Sequence, residues 1–160
     1  MMEQRLPSNK IICFVWSLQR ASPLYLNLIS QRGFEFLAIT HIDASNPNDY
    51  LNKVVPFCND NVWGTLSANI IIHHSTQKNH KAAYEKALED LRYGGIGVNC
   101  WSGLVYGLGS PTWGAYPGHS LEDITSGRGT VHNTYLLDHP EKSIVYAPFR
   151  ISPTPAWFFD

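Results

Sequence analysis

Charge is what this chain has least of. Only 16% of its 160 residues are Asp, Glu, Lys or Arg, against about 25% in an ordinary globular domain. The 12 basic residues nearly cancel the 13 acidic ones, leaving a net charge of −1. Phosphate backbones are held by a basic face, so no nucleic-acid partner is expected. Long apolar runs are also missing: nothing approaches the roughly 20 residues of a membrane-spanning helix, so no membrane partner is expected. The start, MMEQRLPSNK, is polar and leads only into IICFVW, without a small-residue cleavage site, and makes a poor signal peptide. Cysteines number three, Cys13, Cys58 and Cys100, widely spaced and odd in count. That excludes a disulfide framework or a zinc knuckle and points to a reducing, cytoplasmic setting.

Motifs of chemistry are scarce too. Seven histidines invite a metal test, but there is no HExxH or comparable spacing. His73 and His74 stand at a strand end, where neighbours face opposite ways, so capping or surface roles are expected and no metal. The glycines at 94, 95, 97, 103, 107 and 109 do not spell GxGxxG, and SGRG at 126–129 lacks the ending of a phosphate loop. GHSLED at 118–123 crowds His119, Ser120 and two carboxylates together. Triads assemble from distant segments, so Ser120 with Asp123 is read instead as a capping box opening a short helix. Cys100, at a strand end before a Gly-rich loop, would need a positive neighbour to become a nucleophile. None is identifiable, and a structural thiol is expected there; Cys58 belongs to an apolar helix face.

What is present is aromatic: five Trp, eight Tyr and seven Phe. Either the core is rich in rings or some surface is meant to be covered. Lys10–Trp16 and Phe34–Ile42 read as strands. Asn46-Pro47 starts a helix, with Asp49 in its first turn and Leu51, Val54, Val55 and Cys58 on one face. Pro56 should kink or shorten it. Leu66–His73 is a strand, and Ser75 or Thr76 caps a helix over 77–93. Its stripe is Tyr84, Ala87, Leu88 and Leu91, with pairs Lys81/Glu85 and Lys86/Asp90 on the surface. Gly94-Gly95 ends that helix and Ile96–Cys100 is a strand. The order predicts an α/β fold: a short, mostly parallel sheet with two main helices, a long Gly/Pro/Trp loop over 101–130 and a C-terminal β arm. Thr130–Leu137 and Ser143–Tyr146 form the arm, joined by DHPEK. One domain is expected, with a core over 10–128, the arm over 129–150 and a tail over 151–160.

From about Pro47 to Arg150 the chain resembles the C-terminal part of the aldehyde dehydrogenase superfamily. The match starts with the helix ending in Asn59 and with WGTLSANIIIH. It runs on through KAAYEKALEDLRYG and GIGVNCW, the latter similar to the family's Gly-x-Val-x-Val-Asn step. SPTWGAYPGHS stands where members carry Pro-Phe-Gly-Gly-x-Lys, SGRG resembles the turn that follows, and VHNTYLLDHPEKSIVYAPF is like the tail of a bacterial subgroup. The family's Glu-x-Phe-Gly-Pro is absent; Gln31 or Arg32 stands near its Glu, and no cysteine matches the nucleophile. The resemblance therefore implies a truncated relative of an NAD- or NADP-dependent aldehyde oxidoreductase, with no catalytic or cofactor-binding residue carried over and no cofactor in the isolated chain. It implies a substrate-tunnel place for Trp113 and, less closely, Trp101; packing of the long loop is the alternative for both. It implies a homo-oligomer built through the arm over 131–146, and a separate cofactor-domain chain as a further partner. Two readings stand side by side: an oxidoreductase fragment completed in trans, or a non-catalytic, self-associating α/β module.

Overall fold

The computed structural model describes residues 13–14, 40 and 42–148. Ten elements follow in order. They are β1 (Cys13–Phe14), α1 (Pro47–Asn61), β2 (Ser67–Ile70), α2 (His74–Asn79) and α3 (Lys81–Asp90), then β3 (Gly95–Val98), α4 (Leu104–Gly107), β4 (Trp113–Gly114), β5 (Thr130–Val131) and β6 (Ser143–Tyr146). The main sheet has the order β1-β2-β3-β6, with β2, β3 and β6 parallel and β1 antiparallel at one edge. β4 and β5 pair as a separate antiparallel ribbon. This is the small α/β fold expected from the alternation of strand and helix patterns.

α1 begins as its sequence dictates. The Asn46 side chain accepts a bond from the Asp49 amide at 3.0 Å, and Pro47 occupies the first turn, where its missing N–H is no loss. Asp49 reaches back to accept from the Ser45 amide at 2.9 Å and from Lys53 at 3.0 Å. These contacts, the Ser45 amide foremost, hold its carboxyl below the usual range. Pro56 does not end the helix, contrary to the expectation. It lies on the exposed side, so the carbonyl it leaves without a donor can bond to water, and α1 continues to Asn61.

The second helix is another correction. The chain builds two helices, with the break at His80 (φ −125°, ψ 36°). The first is capped a turn early by His73, whose Nδ1 accepts from the Ser75 amide at 3.3 Å. α2 buries no residue, so no packing obliges it to stay collinear with α3. α3 buries Tyr84, Ala87 and Leu88 and carries both expected ion pairs, Lys81–Glu85 at 3.6 Å and Lys86–Asp90 at 2.7 Å. It stops at Asp90 rather than Tyr93, and its last carbonyls meet a cation from far along the chain. Lys142 Nζ donates to the carbonyls of Leu88 (3.0 Å), Glu89 (2.6 Å) and Leu91 (2.8 Å).

Strand bounds are narrower than expected: β2 covers only part of 66–73, and β3 ends before Cys100. Of the strand read over 10–16, only β1 is described, and 34–42 falls almost wholly outside the described residues. The two strands read over 130–137 and 143–146 do not share a sheet. β5 stops at Val131 and pairs with β4, while β6 joins β3 in the main sheet.

The two sheet faces differ by residue type, as a period of two demands. Ala68, Ile70, Ile96, Val98 and Ile144 lie toward α1 and α3, in one cluster with Leu51, Val54, Val55, Cys58, Leu88 and Tyr93. Ser67, Asn69, Gly95 and Gly97 alternate with them and turn to the other face. Asn59 ties the helices together: its Nδ2 donates to the Asp90 carbonyl at 2.9 Å and its Oδ1 accepts from the Arg92 amide at 2.8 Å.

Candidate functional site

The small-residue face of the sheet is where the long loop settles. A Cβ on Gly97 would stand 2.6 Å from the Cys100 carbonyl oxygen and 2.8 Å from the Ser102 nitrogen, so only glycine lets the loop fold back over β3. Asn69 Oδ1 accepts from the Ser102 amide at 2.6 Å, and the buried Ser102 hydroxyl donates to Ser67 at 3.2 Å. Asn99, in the left-handed region at φ 57°, accepts from the Ile72 amide at 2.8 Å and so closes the gap beyond β2. The expected loop over 101–130 is thus ordered, and it contains α4 and β4.

Trp113 lies across the start of β3, its ring 3.0 Å from where a Gly95 Cβ would sit. Tyr106 of α4 meets that ring edge-on at 5.9 Å, and His132 packs on Tyr106 with ring centres 4.7 Å apart. The result is an aromatic wall of Trp113, Tyr106 and His132. Trp101 rests on Gly103 and is 61% exposed, so the two tryptophans read from the sequence contact different partners. Tyr106 and His132 were not legible, because neither stands in a motif and a turn-rich loop has no period that would bring them together. His132 also holds a buried Nδ1 with no hydrogen-bond partner and a left-handed backbone, φ 62°.

The thiols here are the opposite of activated nucleophiles. Burial pushes the Cys100 thiol above its ordinary pKa, and its Sγ donates to the Val145 carbonyl at 3.5 Å. Cys58 is buried in the helix core. His119 works as a clamp: Nε2 lies 2.7 Å from Thr65 Oγ1, and Nδ1 lies 2.9 Å from Thr125 Oγ1. Ser126 Oγ accepts from the Thr65 amide at 2.9 Å, so 119–126 is stitched to the entry of β2. Ser120 does accept from the Asp123 amide at 3.1 Å, but no helix follows, a correction to the capping-box expectation. With His119 and Ser120 engaged in these separate structural bonds, GHSLED forms a turn and a clamp.

Among the described residues no group of three or more His, Cys, Asp or Glu could hold a metal ion, and no helix is long and apolar enough to cross a membrane. Gly94 and Gly97 do not form a pyrophosphate cradle for NAD or NADP. The space a pyrophosphate would need over Gly94 and Gly97 is taken by the chain's own backbone, Gly114–Ala115 and Cys100–Ser102. No family model, curated protein or solved structure matches this chain.

The remaining feature is the outer edge of β6. Flanking the parallel ladder of β6 with β3, the amides of Ser143 and Ala147 donate to the carbonyls of Gly94 and Val98, and alternate amides along a parallel strand face the same neighbour. The backbones of Ile144 and Tyr146 therefore point to the outer edge, where no strand pairs among the described residues. The segment leading to β6 exposes Val131, Tyr135, Leu136 and Leu137, Leu136 at 84% and Tyr135 at 72%.

Proposed function

We propose that this chain is a non-catalytic, self-associating α/β module, laid out like the C-terminal part of the aldehyde dehydrogenases it resembles. One observation carries the reading: an outer edge on β6 that no strand pairs among the described residues, together with an arm whose large apolar side chains stand in water. An exposed edge strand offers main-chain donors and acceptors to a second copy, and an isologous pair would satisfy both edges at once. The suppressed acidity of Cys100 and the burial of Cys58 support the absence of a thiol nucleophile among the described residues, and neither forms a disulfide, which fits a reducing, cytoplasmic setting.

Sedimentation of the purified chain tests this. A concentration-dependent dimer or larger species is expected, and a strict monomer at about 100 μM, well above the Kd of a specific interface, ends the proposal. Leu136→Asn is the informative variant. Leu136 sits at φ 50°, a conformation that Asn tolerates better than Leu, so the fold is kept while apolar contact is lost. Self-association should weaken by about tenfold or more.

A second reading is favoured by the Trp113–Tyr106 wall, which has the apolar character of an aldehyde channel. In it the chain is a portion of an NAD(P)-dependent aldehyde oxidoreductase that works with a cofactor-domain chain. Absorbance of NAD(P)H with a panel of aldehydes separates the two once an aldehyde dehydrogenase fragment carrying the cofactor domain and nucleophile is added: the oxidoreductase reading expects turnover on mixing, the module reading none.

A further inference from the structure

A shallow groove of about 390 Å³ lies on the helix side of the sheet, far in character from the aromatic wall. Its walls come from α2, α3 and the last residue of β6. That places it at the carboxyl ends of the parallel strands, the end at which open α/β sheets collect ligands. Tyr84 and Tyr146 supply phenol rings, and the exposed lining is predominantly apolar. Tyr146 pairs with Val98 in the register of β6, on the side where Tyr84 is buried, and it is itself 59% exposed. An exposed ring beside a buried one is a ready surface for a flat apolar guest.

The rim carries two lysines. Lys78 and Lys81 stand on it beside His74, with Glu85 as the lone acid. Glu85 is already engaged by Lys81 at 3.6 Å. Lys78, in the last turn of α2, makes no hydrogen bond or ion pair among the described residues. Its ammonium is a mobile point charge that can swing over the groove. Gln77 Nε2 donates to the Tyr84 hydroxyl at 3.4 Å, which leaves the phenol proton available to a ligand acceptor. Burial first, and Tyr146 second, push the Tyr84 pKa up to about 12, so that proton stays in place at every physiological pH.

We propose that this groove binds an aromatic monocarboxylate, its ring against Tyr146 and its carboxylate between Lys78 and the Tyr84 hydroxyl. The Lys81–Glu85 pair cancels itself, so the charge to be matched is the single one of Lys78, which suits a monoanion. The volume lies near the lower end of small-molecule sites, the size for a one-ring ligand. Tyr146 ends β6 within the arm, but Lys78 stands on α2, outside it, so Lys78→Gln tests binding apart from self-association.

Benzoate is the probe, followed by amide shifts in nitrogen-labelled full chain at constant ionic strength. A ligand of that size should saturate the groove with a Kd on the order of 1 mM. Benzamide, which keeps the ring but loses the charge, and acetate, which keeps the charge but loses the ring, should each bind about tenfold more weakly. Lys78→Gln and Tyr146→Ala alter exposed side chains, so both should fold, and each should weaken benzoate by about five- to tenfold. Lys53→Gln, on α1, should leave binding unchanged. Equal affinity for benzoate and benzamide, indifference to Lys78→Gln, or no saturation by about 50 mM, far beyond that Kd, overturns the proposal. Lys78→Gln should weaken benzoate while leaving sedimentation unchanged, which keeps a failure of this site distinguishable from a failure of self-association.

Discussion

Lys142 shows how one side chain can decide a local fold. Three carbonyls at the end of α3 converge on its ammonium, and the Tyr116 ring lies 5.4 Å away. Lys142→Met keeps the apolar stem but removes every donor, leaving partly buried carbonyls unpaired. The expected loss is about 1–3 kcal/mol, read as a lower urea midpoint at unchanged slope. Tyr84 makes a different residue-scale prediction. Its pKa is raised from 10.0 to about 12 in the folded chain, so the folded state keeps a proton that the unfolded state gives up first. Stability from this group is complete below pH 10 and is lost as pH rises through about 12. Tyr84→Phe should flatten that alkaline limb in a series of thermal melts, and an unchanged limb would assign it to other groups.

At the scale of elements, α1 and α3 were legible because their apolar stripes repeat with helical spacing and their ends carry recognisable signals, such as Asn46-Pro47. The same stripes say little about where a helix must bend. Pro56 sits inside a continuous helix, and the break in the next helical stretch falls at His80, where no sequence signal marks it. Both outcomes follow from burial. α1 is held on each side of Pro56 by Val54, Val55 and Cys58, whereas α2 has no buried residue to hold it in line. Pro56→Ala restores an amide donor on the exposed face and should stabilise the chain by about 1–3 kcal/mol, measured as a higher thermal midpoint. The aromatic wall was half legible. Trp113 came from a resemblance, but Tyr106 and His132 reach it only because Gly95 and Gly97 let α4 and the ribbon of β4 and β5 lie close to the sheet.

For the whole molecule, the low charge and the many aromatics acquire a location. The core absorbs Tyr84 and Tyr93, while Trp101, Tyr106, Tyr135 and Tyr146 remain exposed in the second half of the chain. If a second copy covers part of this surface, the thermal midpoint should rise with protein concentration, as it does whenever association is coupled to folding. Leu136→Asn should move that dependence to about tenfold higher concentration without lowering the midpoint of the dilute chain. The sequence by itself determined the class of fold, the helix start at Asn46, and the faces of α1, α3, β2 and β3. Those features are local, since each depends on periodicity or on capping within a few residues. Only the tertiary structure decided which strand β6 would join and that β5 would leave it for β4. Those choices rest on contacts across some fifty positions of chain, such as Lys142 with the carbonyl of Leu91 and Val145 with Cys100, and no local pattern encodes them.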